Sequence, residues 1–143
     1  MNIEVHIKNK VSRAYVQALA NFYATRLNLD RSKFTLRIYP VVGLKKAQCM
    51  NGMVASEAPG EITMGLDSKL TKEQLCNTIA HEMVHVKQRA KGQLKIIIKQ
   101  GKVSYMWLVK LCTKDYYDCP WELEAFSRER VLANEVIRLL KAI

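Results

Sequence analysis

His81-Glu82-Met83-Val84-His85 sets two imidazoles four residues apart, with a carboxylate directly after the first. On an α-helix, positions i and i+4 lie on one face about one turn apart, so both imidazoles can reach a single metal ion. Glu82 then falls beside a water activated by that metal and can take its proton. The chemistry such a constellation supports is metal-assisted hydrolysis. The segment needs a helix to work, and its flanks provide one. Thr71 reads as the N-cap, Gln74 closes a capping box, and Leu70 and Leu75 occupy the hydrophobic-staple positions. Helical spacing places Leu75, Cys76, Ile79, Met83 and Val86 on one apolar face, with His81 and His85 in a different sector, and Gly92 reads as the stop.

A catalytic zinc takes three protein ligands and keeps one position for water. The only other histidine, His6, lies on the more polar face of a strand-like segment, where it reads as a surface residue. The third ligand is therefore expected downstream, from a carboxylate or a cysteine. Acids are absent from 86–114 and then come as Asp115, Asp118, Glu122, Glu124, Glu129 and Glu135. Residues from Trp121 onwards recur at helical spacing through Ala125, Leu132, Val136 and Leu139, with Asp118 or Cys119 as cap and Pro120 early in the helix. A glutamate in the first turns of that helix can complete a His-His-Glu site. By the helical count, Glu122 and Glu129 fall within the apolar sector and Glu124 at its flank, near Arg128.

The elements that must position these residues follow from periodicity. Residues 3–7 read as a strand, 11–27 as a helix carrying Tyr15, Leu19, Phe22 and Tyr23, and 34–39 as a second strand. Short links make this a βαβ unit with parallel strands. A polar loop precedes a strand near 49–55. Pro59-Gly60 marks a turn, and 61–66 is a short strand leading into the His81–His85 helix. Residues 94–99 and 102–107, split by Gln100-Gly101, read as a hairpin. The expected fold class is α+β: one domain over 1–143, with a small mixed sheet packed on the metal helix and a C-terminal ligand helix.

With Tyr116-Tyr117 and Pro120-Trp121-Glu122-Leu123-Glu124-Ala125 following the His81-Glu82-x-x-His85 helix, the chain resembles the gluzincins, metallopeptidases of the zincin type. More narrowly it is similar to small ImmA/IrrE-like, SprT-like and phage-encoded proteins. The resemblance covers 71–126 by specific motifs and the rest by element order. It implies a zinc metallopeptidase with one Zn2+ per chain, His81, His85 and Glu124 as ligands and Glu82 as general base. In the Glu-x-Glu-Ala form the glutamate before alanine is the ligand, which maps to Glu124, so Glu122 stands as its rival. The resemblance also implies that the strand before the metal helix, 61–66, is the sheet edge that pairs with an extended peptide substrate. Tyr105, Tyr116 and Tyr117 are candidate oxyanion donors.

Composition bounds the alternatives. A 143-residue chain with 49% hydrophobic residues fits one globular core. No apolar run reaches the length of a membrane span, and the N-terminal segment lacks the shape of a signal peptide, which together predict a cytoplasmic protein. Cys49, Cys76, Cys112 and Cys119 then read as thiols rather than a disulfide framework. Net charge is +10, and the basic segment 86–114 holds eight Lys and Arg residues with no acid. That segment can steer an acidic substrate or make weak nucleic-acid contact, while lysines on a solvated hairpin also blunt a sheet edge. Besides a peptidase acting on a protein or peptide, a basic nucleic-acid-associated zinc protein and a non-catalytic zinc-binding domain fit the composition. Glu82 favours the enzyme, because a structural site has no use for a base.

Overall fold

The computed structural model describes residues 1–48, 50–112 and 118–142. In chain order the elements are β1 (Asn2–Val5), α1 (Lys10–Arg26), β2 (Thr35–Val41), α2 (Leu44–Gln48), β3 (Gly52–Ala58), β4 (Glu61–Asp67), α3 (Lys72–Ala90), β5 (Leu94–Lys99), β6 (Lys102–Trp107), β7 (Lys110–Cys112) and α4 (Pro120–Lys141). These described residues form four helices and two sheets, a mixed α+β arrangement.

The first sheet has the order β1-β2-β4-β3. β1 and β2 pair in parallel across α1, as the short strand–helix–strand links require. Leu36 and Ile38 on β2 and Met64 on β4 are fully buried, while Thr35 and Arg37 alternate to the other face. β4 is parallel to β2 and antiparallel to β3, so both of its sides are hydrogen-bonded. This corrects the expectation for residues 61–66: β4 is an inner strand, and the edge on that side of the sheet is β3.

α3 forms because its ends and its faces agree. The Thr71 hydroxyl accepts from the Gln74 N–H at 3.2 Å, and Gln74 Oε1 accepts from the Thr71 N–H at 2.9 Å, so both halves of the capping box are present. The helix ends at Lys91, and Gly92 follows with φ 67°, a conformation that glycine adopts without strain. Ile79, Met83, Val84 and Val86 are fully buried. α3 packs on α1, β3 and β4, and on α4. α4 buries Trp121, Glu122, Ala125, Leu132, Ala133 and Val136; Leu139, expected in the same stripe, is 51% exposed near the helix end.

The second sheet, β5-β6-β7, is antiparallel. Gln100 and Gly101 both have positive φ, the geometry of a hairpin turn that matches strand twist. Register places Ile96 opposite Tyr105 and Ile98 opposite Val103, so one face is apolar. Lys95 and Lys99 alternate to the other. Leu94, Cys119 and Trp121 form a small second core with Trp107 and Cys112, which roots this sheet on the start of α4. Two elements were not expected from the sequence: α2, in what read as a polar loop, and β7.

Candidate metal centre

α3 presents His81 and His85 towards the first turn of α4, where Glu122 meets them. Glu122 is buried, at 3% exposure, and its Oε1 lies 3.2 Å from His81 Nε2 and 3.1 Å from His85 Nε2. The two Nε2 atoms are themselves 3.2 Å apart. Ligand atoms held about 2.0–2.1 Å from a zinc ion at the tetrahedral angle lie roughly 3.3 Å from one another. The three side chains therefore fit a single metal ion, and two imidazoles with one carboxylate are a donor set that suits zinc.

The outer side of each imidazole is also held. Gln88 is fully buried and donates from Nε2 to the Trp121 carbonyl at 2.9 Å and to Glu124 Oε1 at 3.0 Å. Its amide oxygen is thereby left to accept from His85 Nδ1 at 2.8 Å. A neutral His85 must keep its proton on Nδ1 and turn its Nε2 lone pair to the site. His81 Nδ1 faces Glu129 Oε2 at 3.4 Å, and Phe126 covers the ring at 4.7 Å between centroids. Gln88 was not singled out in the sequence, and Glu129 was placed in the apolar sector of its helix without a role. Gln88 lies three residues, one turn, past His85, and Glu129 lies seven residues past Glu122 on the same helical face.

Glu124, the ligand implied by the family pattern, does not join the histidines. It accepts from Lys87 Nζ at 2.8 Å as well as from Gln88. The cause is helical phase: Glu122 and Glu124 are two residues, about 200°, apart around α4 and cannot both face the same imidazoles. Glu122 is thus the carboxylate placed to serve as a third ligand, and Glu124 orients Gln88. Lys87, part of the basic segment, is thereby buried in an ion pair rather than offered to solvent.

Charge in the centre is tightly coupled. Burial opposes protonation of His81, but hydrogen bonds to Glu122 and Glu129 outweigh it and hold its pKa up at about 10. His85 is likewise raised, with burial opposed mainly by Glu122. Burial pushes the Glu122 carboxyl up, yet the two imidazoles pull it down to about 2.

Glu82, buried at 6% exposure, lines the cleft beside the histidines, and its burial raises its pKa. It lies against β3 so closely that a Cβ on Gly52 would stand 2.9 Å from Glu82 Cγ and 2.9 Å from Thr78 Cγ2. The cleft, ≈ 260 Å³, runs from Gly52, Met53 and Val54 past His81, Glu82 and His85 to Ile96, Tyr105 and Trp121. Of the tyrosine candidates, Tyr105 reaches this cleft, stacked on Trp121 at 5.3 Å; Tyr116 and Tyr117 lie outside the described residues. His6 is remote from the centre and stacks on Tyr39. Cys76 and Cys112 are free thiols, and Cys49 lies outside the described residues.

The edge of β3 opens into the cleft. Asp67 N–H donates to the Asn51 carbonyl at 2.8 Å, and the register then makes Met53–Gly65 the next pair that exchanges hydrogen bonds. The alternate residues, Gly52 and Val54, turn their N–H and C=O groups away from β4, towards the free edge. No family model, curated protein or solved structure matches this chain.

Proposed function

We propose that this chain is a zinc-dependent metallopeptidase, a minimal gluzincin, that cleaves peptide bonds in a protein or peptide laid along β3. The observation that carries the proposal is the convergence of His81, His85 and Glu122 beside buried Glu82, in a cleft bordered by an unpaired strand edge. Bound to the three ligands, zinc would lower the pKa of a water molecule and polarise a substrate carbonyl.

The rest is done by the chain's own residues. Gly52 and Val54 offer main-chain donors and acceptors to an extended peptide, giving affinity that depends little on side chains. The apolar wall of Leu94, Ile96 and Tyr105 excludes water from the bound segment. Glu82 takes the proton of the attacking water, helped by a raised pKa, and returns it to the leaving amine. Gln88 keeps the His85 lone pair aimed inward. Free thiols at Cys76 and Cys112 fit a reducing, cytoplasmic setting, and none of the described helices is long and apolar enough to cross a membrane.

The test is to incubate cell lysate with zinc-loaded wild-type protein and, in parallel, with Glu82→Gln, and to map the new peptide N-termini. Cleavages made by the wild type alone support the proposal. Identical maps refute it.

A further inference from the structure

We propose that Arg89 recognises a carboxylate of the substrate in the groove between β3 and β5, giving the cleft a preference for acidic peptides. The inference rests on the peptidase function proposed above. Arg89 lies one helical turn past His85 on α3 and lines the cleft with the two histidines and Glu82. It also lines an adjoining cavity of ≈ 560 Å³ between Ser56 on β3 and Leu94, Ile96 and Ile98 on β5. Both flanking strands are sheet edges, so the groove has room for an extended chain with main-chain groups on either side.

The guanidinium is under-used there. It carries five N–H donors in a planar fork suited to carboxylates. Nη1 donates to Ser56 Oγ at 3.1 Å, whereas the buried Nε has no hydrogen-bond partner. Among the described side chains, which do not include that of Glu57, no carboxylate lies within ion-pair distance of Arg89, although Lys87, two positions earlier, is paired with Glu124. Glu82 acts on this half-buried cation only through space, and burial without a directly bonded carboxylate costs stability that a ligand carboxylate would relieve. Lys95 on the opposite wall adds charge of the same sign. A basic residue in the last turn of α3 also complements the helix dipole, but solvent-exposed Lys91 at the C-cap already places a cation there without burial.

Geometry gives the recognised group a place. β3 passes Glu82 at Gly52 and reaches Arg89 at Ser56, so it runs from the base towards the arginine. A substrate antiparallel to β3 runs the other way and meets Arg89 before the base. On β3 the two markers, Gly52 and Ser56, are four residues apart, about 13 Å of extended chain. The carboxylate is then an Asp or Glu side chain about four residues N-terminal to the scissile bond. A substrate bound in the parallel sense would instead present its C-terminal carboxylate.

The test uses short Ala/Ser peptides carrying one Glu, each with a Gln twin, and each with a free or amidated C-terminus. Binding is measured by fluorescence anisotropy to zinc-loaded Glu82→Gln protein, and cleavage is measured with the wild type. The Glu peptide is expected to bind about tenfold more tightly than its Gln twin. Adding Arg89→Gln should bring that ratio close to one, and Arg89→Lys should leave part of it, with zinc content and circular dichroism reporting that both variants fold. Cleavage should fall about four residues after the Glu. Dependence on the free C-terminus in place of the Glu would assign the same recognition to a terminal carboxylate. Equal binding of twins, binding of neither, or a ratio that survives Arg89→Gln overturns the inference. Carboxylate-dependent binding without cleavage would instead refute the peptidase function and leave the recognition standing, while cleavage with no carboxylate preference would do the reverse.

Discussion

Lys87, Glu124, Gln88 and His85 form a line of hydrogen bonds in which each member fixes the next. Glu122 stands at the end of that line with its carboxylate on both imidazoles. Removing Glu122 should therefore cost more metal affinity than removing Glu124. Competition with a chromophoric chelator should show Glu124→Ala losing about 10–100-fold in zinc affinity, the usual cost of an outer partner, and Glu122→Ala losing well beyond that. The reverse order would return the ligand to Glu124. Glu82→Gln is nearly isosteric and removes no metal contact, so elemental analysis should find about one zinc per chain and a peptide assay should find no turnover. Retained turnover would remove Glu82 from the chemistry. The His81–His85 pair was legible in the sequence because its spacing is the helical repeat itself. The choice between Glu122 and Glu124 depended on the phase of α4 against α3, a tertiary fact that the apolar-face count foreshadowed and the family pattern did not. Gln88 escaped notice because a buried amide has no signature until its partners are known.

Elements whose ends carry local chemistry were also legible. The Thr71–Gln74 capping box, the Cys119-Pro120 entry to α4 and the Gln100-Gly101 turn each specify geometry within a few residues. β7 was not, because its turn uses Leu108 and Val109 at φ 49° and 67°, where apolar and β-branched residues are rare. The neighbour order of the first sheet was hidden for a different reason: β4 leads into α3, but its partner on the outer side comes from β3, and periodicity cannot tell an inner strand from an edge. That edge sets a close contact with the base. Gly52→Ala would drive a methyl to within 2.9 Å of Glu82 Cγ and Thr78 Cγ2, so β3 or Glu82 must shift. Thermal or denaturant unfolding should show a loss of about 1–3 kcal/mol, as for other overpacked sites. Hydrolysis should fall further than zinc binding, since Glu82 moves and the histidines do not. Unchanged kinetics would mean that the edge yields freely.

For the molecule as a whole, the centre couples folding to pH and to metal. The raised His81 pKa stabilises the metal-free fold fully below its ordinary value of 6.5, and that contribution is lost as pH rises through about 10. The lowered Glu122 pKa stabilises it above 4.5, with loss as pH falls through about 2. These are two ends of one interaction, and together they make its contribution to the metal-free fold greatest between about pH 4.5 and 6.5. Zinc needs the imidazoles unprotonated, so its binding must release protons and weaken as pH falls. Differential scanning calorimetry should show Tm of the metal-free protein declining from pH 6.5 to 9, and added zinc restoring it most strongly at the alkaline end. A metal-free Tm that is flat over that range would break the proposed coupling. The surface carries a different linkage. The β3 edge holds no lysine, its single charged residue being Glu57 near the strand end, whereas β5 has Lys95 and Lys99. Lysine on an edge discourages strand-to-strand association, and β3 lacks that guard. The proposed substrate capture and colloidal stability would thus draw on the same strip of main chain. Concentrated protein is expected to scatter light increasingly on storage, and a peptide occupying the groove is expected to suppress it, so that a bound peptide would double as a chaperone for the fold that holds it.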